Sequence, residues 1–253
     1  MQLGEKSLVS VVIPTYQHSQ YLPTAILSVL AQTYKPVELV IASVVGDEET
    51  HAVVDHFQTI LDIRHVKSEK PDHIHQINLG LEEATGEFTV LFGSDDFMLP
   101  NKIDREMSVA RATEAVLVYS PYFYADDKLN IQAVSPMPPF RYELLVQRNF
   151  IVDSCLVAKR MYGEFGTFDE SLGSLAVYDK WLHIAEKYEG NIIFNSVPVI
   201  LYRTHPQQKH VSRLADPHQV ELYERVVKAS LTRKGLPTDK VKFRLTTAEC
   251  ERV

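Results

Sequence analysis

The chain has 253 residues, of which 45% are hydrophobic and 23% are charged, as in a globular protein of one large domain or one domain with a lobed second half. The formal net charge of −7 argues against general nucleic-acid binding, which needs a basic face that displaces counterions. The sequence has no run of roughly 20 apolar residues, which predicts that it has no transmembrane segment. Its two cysteines form no disulfide or metal pattern, and its N-terminus does not have the form of a signal peptide. We therefore predict a cytoplasmic protein and leave peripheral membrane attachment open.

Strand and helix patterns alternate in the first half of the chain. Runs of apolar and β-branched residues predict strands, and runs with apolar residues at helical spacing predict helices. The predicted strands are 8–14, 37–43, 62–67 and 87–93, and the predicted helices are 21–32, 47–57 and 73–86. This alternation predicts right-handed βαβ units and an α/β fold with a mostly parallel, Rossmann-like sheet flanked by helices.

The second half is less regular and predicts a mixed α/β arrangement. A helix from Asp216 onward ends at Gly235 and forms a C-terminal tail. The predicted elements of the second half are helix 103–115, a tyrosine-rich strand 116–125, a proline-rich loop 134–140, strand 150–158, helix 177–188 and strand 191–195. We therefore divide the chain into a first half, 1–97, a second half, 98–215, and a tail, 216–253.

Ligands of parallel α/β sheets gather at the carboxyl ends of the strands. Three of the predicted strands end in polar segments, "PTYQ" at 14–17, "SVVGD" at 43–47 and "GSDD" at 93–96. We expect these three segments to line one crevice.

Asp95 and Asp96 follow a buried strand directly. Carboxylate oxygens at this edge of a sheet suit a hard divalent cation such as Mg²⁺ or Mn²⁺, which also accepts phosphate oxygens. Aspartate equally favours turns and helix starts. Spacing alone leaves a metal site and a simple turn both open.

Two other patterns bear on the chemistry. No strand is followed by a glycine-rich dinucleotide or phosphate loop, which disfavours a dehydrogenase or methyltransferase on a similar sheet. Asp179 and His183 lie four residues apart on one face of a predicted helix. They can form an acid–base pair or part of a solvated polar face.

Four segments, in this order and spacing, together resemble the family 2 glycosyltransferases of the GT-A fold. They are "VSVVIPTYQHSQYLPTAILSVLAQTYKPVELVI", "INLGLEEATGEFTVLFGSDDFMLPNKI", "FGTFDESLGS" followed by "YDKWL", and "LYRTHPQQKHVS". The resemblance covers roughly residues 7 to 212. It implies a GT-A-like fold whose second half binds the acceptor.

The resemblance also implies a reaction. A sugar would pass, with inversion, from a UDP- or GDP-linked nucleotide-diphospho-sugar to a hydroxyl of a glycan or another acceptor. Mn²⁺ or Mg²⁺ would offset charge on the leaving diphosphate, and a carboxylate would take the acceptor's proton. The implied donor-binding residues are Pro14, Thr15, Tyr16, Ser43, Ser94, Asp95 and Arg203. The implied metal ligands are Asp95, Asp96 and His205. Nothing in the sequence sets the oligomeric state.

The chain departs from the family at acidic positions. Ser43 and Val44 stand where the family has an acidic pair, and Gly93 replaces the first aspartate of the metal motif. Val177 stands at the position of the usual general base.

Two interpretations follow from these departures. The protein can be a transferase with a relocated base, for which Asp179 is the nearest substitute and Asp153 the second. It can also be a degenerate relative that binds a sugar nucleotide or a partner without turnover.

Overall fold

A computed structural model of the protein describes residues 7–205 and 217–239. The first half has the predicted alternation, and every predicted element of it is present. Its strands are β1 (Val9–Pro14), β2 (Val37–Val44), β3 (Ile63–Ser68) and β4 (Phe88–Leu91), and its helices are α1 (Leu22–Leu30), α2 (Glu48–Gln58) and α3 (His73–Glu83). Each helix places its apolar face on the sheet, so the strands β1, β2 and β4 are almost entirely buried.

The second half has shorter elements. Its strands are β5 (Phe97–Met98), β6 (Leu117–Tyr119), β7 (Phe123–Ala125), β8 (Ile131–Val134), β9 (Leu156–Ala158), β10 (Ile192–Phe194) and β11 (Ile200–Arg203). Its helices are α4 (Lys102–Thr113), α5 (Tyr142–Leu145), α6 (Arg160–Phe165) and α7 (Ala176–Tyr188), with 3₁₀ turns at Glu170–Leu175 and Glu189–Asn191, and the tail contributes α8 (Pro217–Arg233).

A seven-stranded sheet forms the core, in the order β10-β6-β9-β4-β1-β2-β3. Within it β9 is antiparallel to both of its neighbours, and the other strands share one direction. The sheet is therefore mostly parallel, as predicted, and it takes strands from both halves of the chain. A smaller four-stranded sheet has the order β5-β11-β7-β8.

Two predicted strands of the second half are wrong in extent. The tyrosine-rich run 116–125 is two strands, β6 and β7, in different sheets. The break falls at Pro121, which has no N–H for a strand ladder. Of the run 150–158, only Leu156–Ala158 is a strand, because a turn occupies residues 153 and 154.

The pairing of β9 with β4 positions the loop before β9. Leu156 pairs with Val90, and the two strands run in opposite directions. Continued along the sheet, this register brings residue 153 level with residue 93. The loop before β9 therefore reaches the carboxyl end of β4, where Asp95 and Asp96 follow.

Helix α8 packs on α7. The rings of Tyr178 and Tyr223 stack with their centroids 4.8 Å apart, and Arg233 pairs with both carboxylate oxygens of Glu186. None of the helices in the described part of the chain has the length and hydrophobicity needed to span a bilayer.

Candidate functional site

The turn after β4 is held by β11. The backbone N–H of Arg203 donates to Oδ1 of Asp96 (3.0 Å), and its guanidinium Nε donates to the backbone carbonyl of Asp95 (2.6 Å). The guanidinium also donates to the backbone carbonyl of Asp127 and lies 4.7 Å from the centroid of the Tyr21 ring. Arg203, expected to bind the donor, thus fixes the shape of the aspartate turn.

The two adjacent carboxyls differ in environment. Asp96 is 8% exposed. Burial, reinforced by the negative charge of Asp95, raises the pKa of Asp96 well above its ordinary value. A cation bound beside the pair would favour loss of that proton, because ligand carboxyls must ionise.

His205 pairs with the more accessible acid. Its Nε2 lies 3.0 Å from Oδ2 of Asp95, and its side chain is fully buried. Its Nδ1 has no hydrogen-bond partner among the described residues. His18, from the loop after β1, completes a group in which one donor atom from each of His18, Asp95 and His205 lies within 4.8 Å of the others.

This His–Asp–His group fits a divalent cation. Two atoms that bind one ion at about 2.1 Å and at right angles lie about 3 Å apart, close to the separation of His205 and Asp95. Asp95 and His205, predicted as metal ligands, therefore come together, whereas Asp96 is turned toward the backbone of Arg203.

The loop after β1 is tied to the neighbouring elements. Gln17 has a positive φ of 57°, and its N–H donates to the carboxylate of Asp47 (2.7 Å), which also caps α2. The buried amide of Gln76 on α3 donates to the backbone carbonyl of Thr15 (2.7 Å). The Thr15 hydroxyl is buried without a partner among the described residues.

A cavity of about 690 Å³ lies beside this loop, at the carboxyl ends of β1, β2 and β3. Tyr16, Val44, Asp47 and Glu69 are among the residues that line it. Segments 14–17 and 43–47 therefore meet at one edge of the sheet, as predicted, whereas no residue of the third segment, 93–96, is among those that line the cavity.

Ser43 is not among the residues that line this cavity. It is fully buried, and its hydroxyl is 2.7 Å from Nε2 of His65 on β3. Burial lowers the pKa of His65 to about 4, so this imidazole is neutral at physiological pH. Ser94 is also buried, and its hydroxyl lies 2.9 Å from Nδ1 of His18. Both serines, expected to bind the donor, hold histidines in place.

Asp153 lies near the aspartate turn. Its charge contributes to the raised pKa values of Asp96 and Tyr202. Desolvation raises its own pKa to about 6 although the residue is open to solvent.

Asp179 lies in a different environment. Its carboxylate is 3.3 Å from Nδ1 of His183, and its charge acts on Lys180 and on Arg233 of α8. Side chains two positions apart on a helix are rotated by about 200°, so they project from nearly opposite faces. Asp179 therefore cannot occupy the place of Val177, which is 4% exposed.

Two residues at this site, His18 and Tyr202, were not predicted from the amino-acid sequence. His18 lies in the loop after β1, where a histidine near the crevice could have been noticed. Tyr202 packs against Tyr122 and Tyr124, with ring centroids 5.2 and 6.1 Å away, and forms an aromatic wall beside Asp153. Only the pairing of β11 with β7 brings these tyrosines together.

The sequence profile of glycosyl transferase family 2 matches residues 10–170. The chain belongs to glycosyl transferase family 2. It is 28% identical over 227 residues to an uncharacterized glycosyltransferase of Rickettsia prowazekii, covering 86% of this chain and 69% of that protein. For a similar relative from Rickettsia conorii, also 28% identical, the match covers 80% of this chain but 35% of the relative.

Solved glycosyltransferase structures share the fold. Staphylococcus aureus TarS, residues 1–349, in complex with UDP-GlcNAc, has a TM-score of 0.72 at 14% identity and covers 96% of this chain and 69% of that chain. The mannosyltransferase PcManGT from Pyrobaculum calidifontis, in complex with GDP-Man and Mn²⁺, has a TM-score of 0.64 at 14% identity. The match covers 92% of this chain and 74% of that chain. The fold is therefore GT-A, as the resemblance implied.

Gly93, which replaces an acid of the family 2 metal motif, lies against both remaining aspartates. A Cβ on Gly93 would come within 2.8 Å of Oδ2 of Asp96 and 2.9 Å of Oδ1 of Asp95. Real Cβ atoms do not approach so closely, so any side chain here displaces the carboxylates.

We expect Gly93→Asp to lower the free energy of unfolding by about 1–3 kcal/mol, the usual cost of an overpacked site. Denaturant unfolding measures this, and Gly93→Ala separates the steric part from the added charge. Gly163→Ala is the control, because a Cβ on Gly163 meets nothing within 4 Å. A stable Gly93→Asp variant with tighter donor binding would contradict the expectation.

Proposed function

We propose that the protein transfers a sugar, with inversion and with the help of a divalent metal ion, from a nucleotide-diphospho-sugar to an acceptor hydroxyl. The observation that carries the proposal is the pairing of Asp95 with His205 at the carboxyl edge of a GT-A sheet, next to the cavity at the ends of β1–β3. Membership of glycosyl transferase family 2 supports it.

The cavity is the proposed place of the nucleotide. Pro14 ends β1 and Tyr16 lines the cavity, so this loop can contact a base and ribose without a glycine-rich motif. Thr15 lies between them, with its backbone N–H and carbonyl bonded to Ala42 and Gln76. Relatives in fold bind UDP-GlcNAc and GDP-Man. We therefore propose a UDP- or GDP-linked donor.

Asp95 and His205 would hold Mn²⁺ or Mg²⁺, which, when bound, neutralises charge on the leaving diphosphate. Arg203 keeps the aspartate turn in shape through its hydrogen bonds to Asp95 and Asp96. The solved structure of PcManGT with GDP-Man and Mn²⁺ supports a metal of this kind.

For the general base we propose Asp153 rather than Asp179. The acceptor hydroxyl, which belongs to a glycan or another alcohol, attacks the anomeric carbon while the bond to the diphosphate breaks. Its proton passes to a carboxylate on the acceptor side. Asp153 is an exposed residue whose charge acts on Asp96, and its pKa near 6 suits a base that works at neutral pH. The tyrosine wall beside it, Tyr122, Tyr124 and Tyr202, offers an acceptor sugar an apolar face.

A second candidate function is sugar-nucleotide binding without turnover. It is favoured by Val44 and Val177, apolar residues at two positions where the family has acids. Slow but measurable release of nucleoside diphosphate would argue against it.

Calorimetry tests the donor and the metal together. We expect UDP-GlcNAc or GDP-Man to bind at least tenfold more tightly with Mn²⁺ than with a chelator, because the ion bridges protein and diphosphate. Thermal shifts with the same ligands give an independent readout, since a ligand of the native state raises the melting temperature. Equal affinity in both conditions would contradict the metal's role, and no binding of any sugar nucleotide would contradict the function.

The remaining assignments are proposals of the same kind. Residues 1–97 would bind the donor, 98–215 the acceptor, and 216–253 would form a tail, which is described over 217–239 and contains α8. Residues 206–212 of the motif "LYRTHPQQKHVS" lie outside the described residues. A cytoplasmic location stays a prediction from the amino-acid sequence.

A further inference from the structure

We propose that His18 is a third protein ligand of the metal, and that the site consequently prefers transition-metal ions such as Mn²⁺ and Co²⁺ to Mg²⁺. This inference rests on the proposed function and deepens it, because it identifies the ion class that the site selects. His18 lies outside the acidic motif, in the loop after β1.

The geometry brings His18 to the pair of Asp95 and His205. The rings of His18 and His205 meet edge to face with centroids 5.7 Å apart. One donor atom of each of the three side chains lies within 4.8 Å of the others. Ligand atoms at about 2.1 Å from one ion lie between about 3 and 4.2 Å apart. A side-chain movement of less than about 1 Å therefore closes the group around an ion.

The surroundings hold His18 as metal ligands are usually held. Its Nδ1 is 2.9 Å from the hydroxyl of the buried Ser94, which fixes the orientation of the ring. Ligand histidines commonly use one nitrogen for the metal and the other for such a partner. The side chain of His205 is fully buried, and its Nε2, 3.0 Å from Oδ2 of Asp95, is the nitrogen that faces the group.

The ligand set determines the ion preference. Mg²⁺ favours oxygen ligands, whereas imidazole nitrogen favours transition-metal ions, with affinity rising from Mn²⁺ to Co²⁺. Two imidazoles and one carboxylate leave open positions that diphosphate oxygens can fill. With Asp96 turned to the backbone of Arg203, the site is richer in nitrogen than a pair of aspartates would be.

Titration of the full chain with Co²⁺, Mn²⁺ and Mg²⁺, without nucleotide, tests the proposal. We expect affinity in the order Co²⁺, Mn²⁺, Mg²⁺. His18→Gln should weaken Co²⁺ and Mn²⁺ by more than the about 10–100-fold that loss of a ligand's outer partner costs, and leave Mg²⁺ nearly unchanged. Ser94→Ala should weaken the same two ions by a smaller factor, because it releases the ring without removing it. His56→Gln, on the exposed side of α2, is the matched control.

Three outcomes would overturn the proposal. The first is a His18→Gln variant that binds all three ions like the parent chain. The second is an equal loss for Mg²⁺ and Co²⁺. The third is retained metal binding with weakened donor binding, which would assign His18 to the phosphates. Thermal melting without metal checks the fold of each variant. Selective metal binding without any sugar-nucleotide binding would contradict the proposed function and leave the His18 assignment standing.

Discussion

Replacement of Asp95 by asparagine should lower the release of nucleoside diphosphate by about 10²–10⁴-fold, because metal-assisted neutralisation of a leaving group contributes several kcal/mol. Asparagine has nearly the shape of aspartate and keeps one oxygen for Nε2 of His205. The backbone carbonyl that accepts from Arg203 is unchanged. The substitution therefore removes charge at the ion with little change in packing.

The loss should have a second signature in donor binding. In the Asp95→Asn variant, calorimetry should give the same donor affinity with Mn²⁺ and with a chelator, at a value close to that of the parent chain without metal. Asp104→Asn, at an exposed position in the first turn of α4, is the control and should keep the full dependence on Mn²⁺. An Asp95→Asn variant that folds and still responds to Mn²⁺ would place the metal elsewhere.

The first half of the fold could be predicted because its pattern is local. β2 was predicted at 37–43 and spans Val37–Val44, since a buried parallel strand is a continuous apolar run bounded by turn residues. The second half depends on pairing between distant segments. Nothing in the run 116–125 indicates that β6 joins the large sheet and β7 the small one.

The site residues also differ in whether a local pattern or the pairing of distant segments determines their place. Asp95 was recognisable because two acids follow a buried strand, and the resemblance pointed to His205. The contact between them joins residues 110 positions apart through the pairing of β5 with β11, which no local pattern indicates.

For Asp179, helix periodicity gave the correct neighbour, His183, but could not indicate which surface of α7 faces the crevice. Asp153 was assigned to a strand interior, and the turn that exposes it depends on tertiary packing.

Asp153→Asn should lower turnover by about 10²–10⁴-fold, the usual contribution of a general base, with donor affinity unchanged. The physical reason is that asparagine cannot accept the acceptor's proton as the hydroxyl attacks. Release of nucleoside diphosphate, with water or a glycan as acceptor, measures turnover, and calorimetry measures the donor. Asp179→Asn is the matched comparison, since it removes a carboxylate that contacts His183 and should leave turnover within a few-fold of the parent value.

The pH dependence of turnover distinguishes a general base from a residue with a structural role only. Turnover of the parent chain should fall as the pH drops through about 6, because Asp153 must be ionised to act as a base. A bound cation favours the carboxylate, so the midpoint with metal should lie at or below that value. The residual activity of Asp153→Asn should lack this dependence.

Stability should move in the opposite direction. A carboxyl whose pKa is raised on folding binds its proton more tightly in the native state. Its contribution to the free energy of unfolding is therefore largest below about pH 4 and is lost as the pH rises from about 4 to 6. Above pH 6 the native protein holds an unfavourable charge, and Asp153→Asn should unfold at the same or a higher temperature than the parent chain. A variant that is destabilised at pH 7 and retains turnover would make Asp153 a structural residue. If Asp179→Asn were the inactive variant, the base would lie on α7 instead.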